Sequence, residues 1–165
     1  MAISDSLERY AVKKGMQPKT TVKTKLLLLF YEDQAGPGKK YPPLIKKDVT
    51  VEDFRKWLSE NGPGGYRIDE PAEAYDNLAS VELPSTETVT NFMVWAKKGH
   101  EEEMHTSFNE FIVILKGHCD MYFDGEKRHY DAGEIIVIDP GIYHSAVITS
   151  VEPMVAVVQR QVIAA

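Results

Sequence analysis

The stretch Gly133-Glu-Ile-Ile-Val-Ile-Asp-Pro140-Gly141-Ile-Tyr-His144 decides how this chain is read. A glycine opens a buried strand, Pro140-Gly141 makes the turn, and His144 sits at the head of the next strand. Outward from it, residues 85–165 are almost uniformly strand-like. Thr88 to Lys97 reads as one strand, followed by a charged loop. Phe111 to Leu115 is another, and Met121 to Phe123 leads into the turn Asp124-Gly125. Glu134 to Ile138, Ser145 to Ser150 and Val155 to Gln159 complete a set at barrel-like spacing. The expected fold is all-β dominated, a small antiparallel barrel.

Residues 1–84 are mixed in character and are expected to form an N-terminal extension, a strand plus one or two helices packing on the 85–165 core. Thr20 to Glu32 ends in a β-favourable run. Gln34 to Lys40, with Gly36, Pro37 and Gly38, reads as a loop. Thr50 starts a helix, with Asp53 placed as in a capping box. Val51, Phe54, Trp57 and Leu58 form one apolar stripe, so Trp57 belongs to packed core. The run Asn61-Gly62-Pro63-Gly64-Gly65 stops the helix. A second, weaker helical stretch spans Glu70 to Asn77.

Composition narrows the function. The chain has 165 residues, 43% hydrophobic and 27% charged, with a formal net charge of −6. These values fit one globular domain and argue against nucleic acid, which needs clustered Lys and Arg. The densest basic stretch, Lys39 to Lys47, is broken by Tyr41, Pro42 and Pro43 and reads as a solvated loop. The longest apolar run, Leu26 to Tyr31, falls far short of the roughly 20 residues of a membrane span. MAISDSLERY lacks the pattern of a signal peptide. A single cysteine, Cys119, excludes an intramolecular disulfide and fits a reducing compartment, so the expected setting is cytoplasmic.

The chemistry lies in the histidines and glutamates, the usual nitrogen and oxygen ligands of borderline divalent metals. His100-Glu-Glu-Glu-Met-His105 looks like a metalloprotease helix but is not one. Its histidines are five apart, about 500° around a helix, and would sit on different faces. On a strand, Glu103 and His105 share a face, and Ser107 returns to it. A tight connection through Phe108 and Asn109 brings Glu110 back on the neighbouring strand. His100 and His129 read as surface residues, Cys119 as a small buried hydrophobe, and His118 is compatible with either face.

On these residues the chain resembles the cupin superfamily. The family's second motif, G(X)5–7PXG(X)2H(X)3N, is matched by Gly133, Pro140, Gly141 and His144, although Pro and Gly are adjacent and no asparagine follows. In the first, G(X)5HXH(X)3–4E(X)6G, Glu110 and Gly117 have the expected spacing. One of the usual histidines is missing: either Glu103 or Ser107 takes its place, and the register that keeps the spacing between ligands favours Glu103.

The resemblance implies a jelly-roll barrel and a metal site of His105, Glu110 and His144. Such a facial triad leaves positions open, as non-haem Fe(II) oxygenases require. Glu103 completes a four-ligand site, or stands beside it as a carboxylate that orients His105 or takes a substrate proton. Two carboxylates favour Fe(II) or Mn(II), with Ni or Zn also allowed by the affinity series. The implied function is a metal-dependent small-molecule enzyme, foremost an oxygenase. An isomerase, a lyase, or a non-catalytic binding or sensing barrel are the alternatives. Ile112 and Ile114 should share Glu110's inward face and give the pocket apolar walls, with Trp95, Tyr122, Met93 and Tyr143 as further candidates. No arginine pair stands near the motifs, which points to a neutral or aromatic substrate. Lys23 to Tyr31 is expected to add a strand to a barrel sheet, and a homodimer is the expected assembly.

Overall fold

The computed structural model describes residues 40–61, 71 and 73–163. Its elements, in chain order, are α1 (Val51–Asn61), β1 (Leu78–Leu83), β2 (Val89–Ala96), β3 (Gly99–Glu103), β4 (Phe108–Lys116), β5 (His118–Phe123), β6 (Glu126–Asp131), β7 (Ile135–Ile138), β8 (His144–Ile148) and β9 (Met154–Val162). The strands form a five-stranded sheet, β1-β2-β9-β4-β7, and a four-stranded sheet, β3-β8-β5-β6. Every pairing is antiparallel. Two facing sheets of this kind make the expected jelly roll.

Side-chain alternation explains why β4 and β9 are buried along nearly their whole length. Ile112, Ile114, Ala156 and Val158 point inward and join Cys119, Met121, Ile136 and Ala146 in the core between the sheets. Phe111, Val113, Leu115, Val155 and Val157 point the other way, into a second core beneath α1. Successive residues of a strand face opposite sides, so both sides here need an apolar partner.

The helix supplies one of them. Thr50 and Asp53 cap it reciprocally: the Asp53 carboxylate accepts from Thr50 N at 2.7 Å, and Thr50 Oγ1 accepts from Asp53 N at 3.4 Å. Its stripe of Val51, Phe54, Trp57 and Leu58 is buried on the sheet, and Arg55 donates to the Leu115 carbonyl. Phe54 is fully buried, so Phe54→Ala should cost about 3–5 kcal/mol. Towards the other end of this face, Gln159 binds the segment ahead of the helix. It donates to the Pro43 carbonyl at 2.9 Å and accepts from Ile45 N at 2.9 Å.

Some elements differ from expectation. The described residues between 71 and 77 are bends and irregular chain rather than helix. Pro71 and the side chain of Asn77, which accepts from Lys98 N and Gly99 N, serve a connection there instead. β1 lies ahead of residue 85 and pairs with β2. β6 is a charged edge strand. The charged segment after Lys97 contains β3. The expected strand over Thr20 to Glu32 and the pairing role of Lys23 to Tyr31 lie outside the described residues.

Candidate metal centre

Three backbone features gather the site at one end of the barrel. Gly99 lies at φ 118°, and a Cβ there would stand 2.0 Å from the Ala146 carbonyl oxygen, so only glycine lets β3 press this closely on β8. The β3–β8 register then shifts: His100 opposes Ala146 and Glu103 opposes His144. Three steps on one strand face two on the other, a bulge, and this turns both His100 and Glu103 toward the same side. Gly141 N of the Pro-Gly turn donates to the His105 carbonyl at 2.7 Å, fixing the loop after β3 against the start of β8.

The resulting groups overlap at His144. His105, Glu110 and His144 each place a ligand atom within 4.8 Å of the other two, and so do His100, Glu103 and His144. His144 is fully buried. Its Nδ1 lies 3.0 Å from the Ile142 carbonyl, a bond the ring can only donate, so Nε2 carries the lone pair in the neutral ring. That Nε2 lies 3.3 Å from Glu103 Oε1. A lone pair facing a carboxylate needs a proton or a cation between them.

His105 makes the same demand from inside. Both its ring nitrogens are buried without a hydrogen-bond partner among the described residues. The ring stacks on Phe108 at 4.2 Å and meets His144 edge-on at 5.0 Å. Burial lowers its pKa, and the His144 charge adds to this against the opposing pull of Glu110 and Glu103. Nε2 lies 3.9 Å from Glu110 Oε1, beyond hydrogen-bond range. Two imidazoles and a buried carboxylate converging without bonding one another are the donor set of a divalent cation, and these residues fit one.

Glu110 is held from behind. Arg160, its cross-strand neighbour on β9, donates from Nε to Glu110 Oε2 at 2.7 Å. Beside these groups lies a cavity of about 220 Å³ walled by Phe92, Val94, Ile112, Met121 and Val158, with His100, Glu103, Glu110 and Arg160 on its border. A larger hollow of about 500 Å³, lined by Phe123, Arg128, Tyr130 and Val137, is bordered by none of the clustered groups.

The sequence-named residues therefore separate. His105, Glu110 and His144 come together, and Glu103 stands at His144 on the half-exposed side. Ser107 is exposed and belongs to neither group. Ile112 lines the cavity, whereas Ile114 lies in the core between the sheets. Trp95 and Met93 pack under α1, because both faces of β2 are apolar and its phase turns them outward. Tyr122 follows the inward Met121 and faces away from the cavity, and Tyr143 is exposed. His100 and Arg160 were not among the expected site residues. A bulge and a distant strand pairing bring them in, and neither leaves a local motif.

Residues 91–159 match the family model described as the cupin domain. An uncharacterized protein of Aquifex aeolicus is 23% identical over 77 residues, 47% of this chain, and the chain spans 64% of that relative's length. The cupin domain of Schizosaccharomyces pombe Cnp3 superposes with a TM-score of 0.53 at 14% identity, over 61% of this chain and 74% of that one. KdgF from a Halomonas species gives a TM-score of 0.48 at 16% identity, over 54% of this chain and 83% of its own. Likeness at such identities is likeness of fold. With two facing antiparallel sheets and the cupin-domain match over residues 91–159, this segment resembles a cupin domain and has the jelly-roll fold of one.

Proposed function

We propose that the chain is a metal-dependent enzyme acting on a small organic molecule, with His105, Glu110 and His144 holding one divalent cation. The observation that carries this reading is His105, whose two buried nitrogens have no hydrogen-bond partner among the described residues although a carboxylate and a second imidazole converge on it. Two nitrogens and one oxygen favour Fe(II) or Mn(II), and leave positions open. Bound there, such an ion supplies Lewis acidity and, as Fe(II), the capacity to use O2.

The chain's own residues do the rest. The Ile142 carbonyl fixes the His144 tautomer, Phe108 holds the His105 ring, and Arg160 orients Glu110. The apolar walls of the cavity keep water from the bound substrate. Glu103, its side chain 51% exposed and 3.3 Å from His144 Nε2, is placed to take or return a substrate proton.

A non-haem oxygenase is the favoured reaction class, in a reducing, cytoplasmic setting that suits the single buried cysteine, Cys119. The second reading, an isomerase or lyase, is favoured by that half-exposed carboxylate at the mouth. Oxygen uptake by Fe(II)-loaded protein, screened over small aromatic and aliphatic compounds, tests the choice. Uptake that requires His144 supports the oxygenase. Exchange of substrate protons with solvent, without oxygen uptake, moves the assignment to isomerase or lyase. Ligand binding with neither reduces the barrel to a sensor.

A further inference from the structure

Arg160 is more elaborately held than its pairing with Glu110 requires. Its guanidinium lies between two phenyl rings, 5.0 Å from the centre of Phe92 and 4.9 Å from that of Phe108. A planar cation within cation–π range of two aromatic rings is restrained by both. Only Nε is engaged, by Glu110 Oε2. A guanidinium carries five N–H donors, and among the described residues the terminal nitrogens have no hydrogen-bond partner. The side chain is 39% exposed, and among the described residues Arg160 is the only Lys or Arg bordering the cavity.

The rest of the border sets what those donors can receive. Val94, Ile112 and Val158 are apolar, while Glu103 and Glu110 already place two carboxylates nearby. With a divalent cation bound, one arginine and two carboxylates would leave a single positive charge, which a singly charged anion balances and a phosphate dianion overshoots. The terminal edge of a guanidinium matches the two oxygens of a carboxylate.

We infer that Arg160 is the carboxylate-binding residue of this pocket, and that the ligand is a small organic acid whose apolar body lies against Val94, Ile112 and Val158. The inference deepens the proposed function and rests on its assignment of this cavity as the substrate site. It replaces the neutral substrate expected from the motifs alone, because the arginine arrives on a strand outside them.

The test compares each acid with its amide: benzoate against benzamide, and butanoate against butanamide. Binding is followed by calorimetry, on chelator-treated protein and on protein loaded with Zn(II). The acids should bind about ten- to a hundredfold more tightly than the amides. Arg160→Met should remove that preference. Arg160→Lys, which keeps a charge opposite Glu110 and so guards against misfolding, should lower it about tenfold through loss of the planar fork. Equal binding of acid and amide in both states overturns the inference. So does a preference that survives both substitutions, since the carboxylate would then be held elsewhere. Metal content of the same samples is read separately. Acid selectivity through Arg160 in protein that takes up no metal would keep this inference and remove the metal reading.

Discussion

Two groups of histidines and carboxylates, one on the outer face of the four-stranded sheet and one at the barrel mouth, are left in opposite states. On the outer face, His129 lies 2.8 Å from Asp120 and 3.1 Å from Asp131, one carboxylate for each ring nitrogen. His118 stands beside it, bonded to Thr149 Oγ1 at 2.5 Å. The hydrogen bond to Asp120, reinforced by Asp131, raises the His129 pKa, and the same bond holds the Asp120 carboxyl low. A proton completes that group. At the barrel mouth, His105 is desolvated, its pKa is lowered, and among the described residues no hydrogen-bond partner meets either nitrogen. A histidine beside carboxylates thus becomes a surface ion pair or a candidate metal ligand according to whether water or apolar wall surrounds it.

Substitution gives the widest separation. His105→Ala and His144→Ala should each weaken metal binding by more than about a hundredfold, since losing even an outer supporting group costs 10–100-fold. His118→Ala and His129→Ala should leave it unchanged. Competition with a chromophoric chelator measures all four. If the outer pair mattered as much as the inner one, the distinction would fail.

The carboxylates come next. Glu110→Gln should lower metal affinity by about 10–100-fold, because it removes an anionic donor. Glu103→Gln should leave the metal in place and lower turnover by about a hundredfold or more, the usual scale for a proton-transfer group. Metal loss in Glu103→Gln equal to that in Glu110→Gln would move Glu103 into the ligand set.

The pH responses are smaller and opposite in sign. For His105 the folded pKa lies below the ordinary 6.5, so the unfolded chain takes the proton first. Metal-free protein should therefore keep its full stability above about pH 6.5 and lose part of it as pH falls below that value, and His105→Gln should flatten the loss. His129 has a folded pKa above 6.5. Its contribution is complete below 6.5 and disappears as pH rises through the raised pKa. Being exposed, it should give the least effect of all, visible in an NMR titration and absent in His129→Gln.

What the sequence disclosed follows from how local each feature is. Glu110 and His144 sit at fixed distances from glycine and Pro-Gly turns, and it was the resemblance of those spacings to the cupin motifs that implied they converge. His100 was hidden because its inward aim depends on a bulge, which no composition marks. Arg160 was hidden because it meets Glu110 only through the β4–β9 register, between residues far apart in the chain. Trp95 was assigned the cavity because β2 is apolar on both faces, and only the helix packed outside fixes its phase. β6 was unreadable, since Glu126, Lys127, Arg128 and His129 are all exposed and leave no alternation to detect.

Elemental analysis of protein purified without chelator or affinity tag tests the central claim most directly. About one Fe or Mn per chain, falling to none in His144→Ala and unchanged in His129→Ala, is the expected result for a facial two-histidine, one-carboxylate centre. No metal in the unaltered chain, even after reconstitution with Fe(II), Mn(II), Ni(II) and Zn(II), would contradict it.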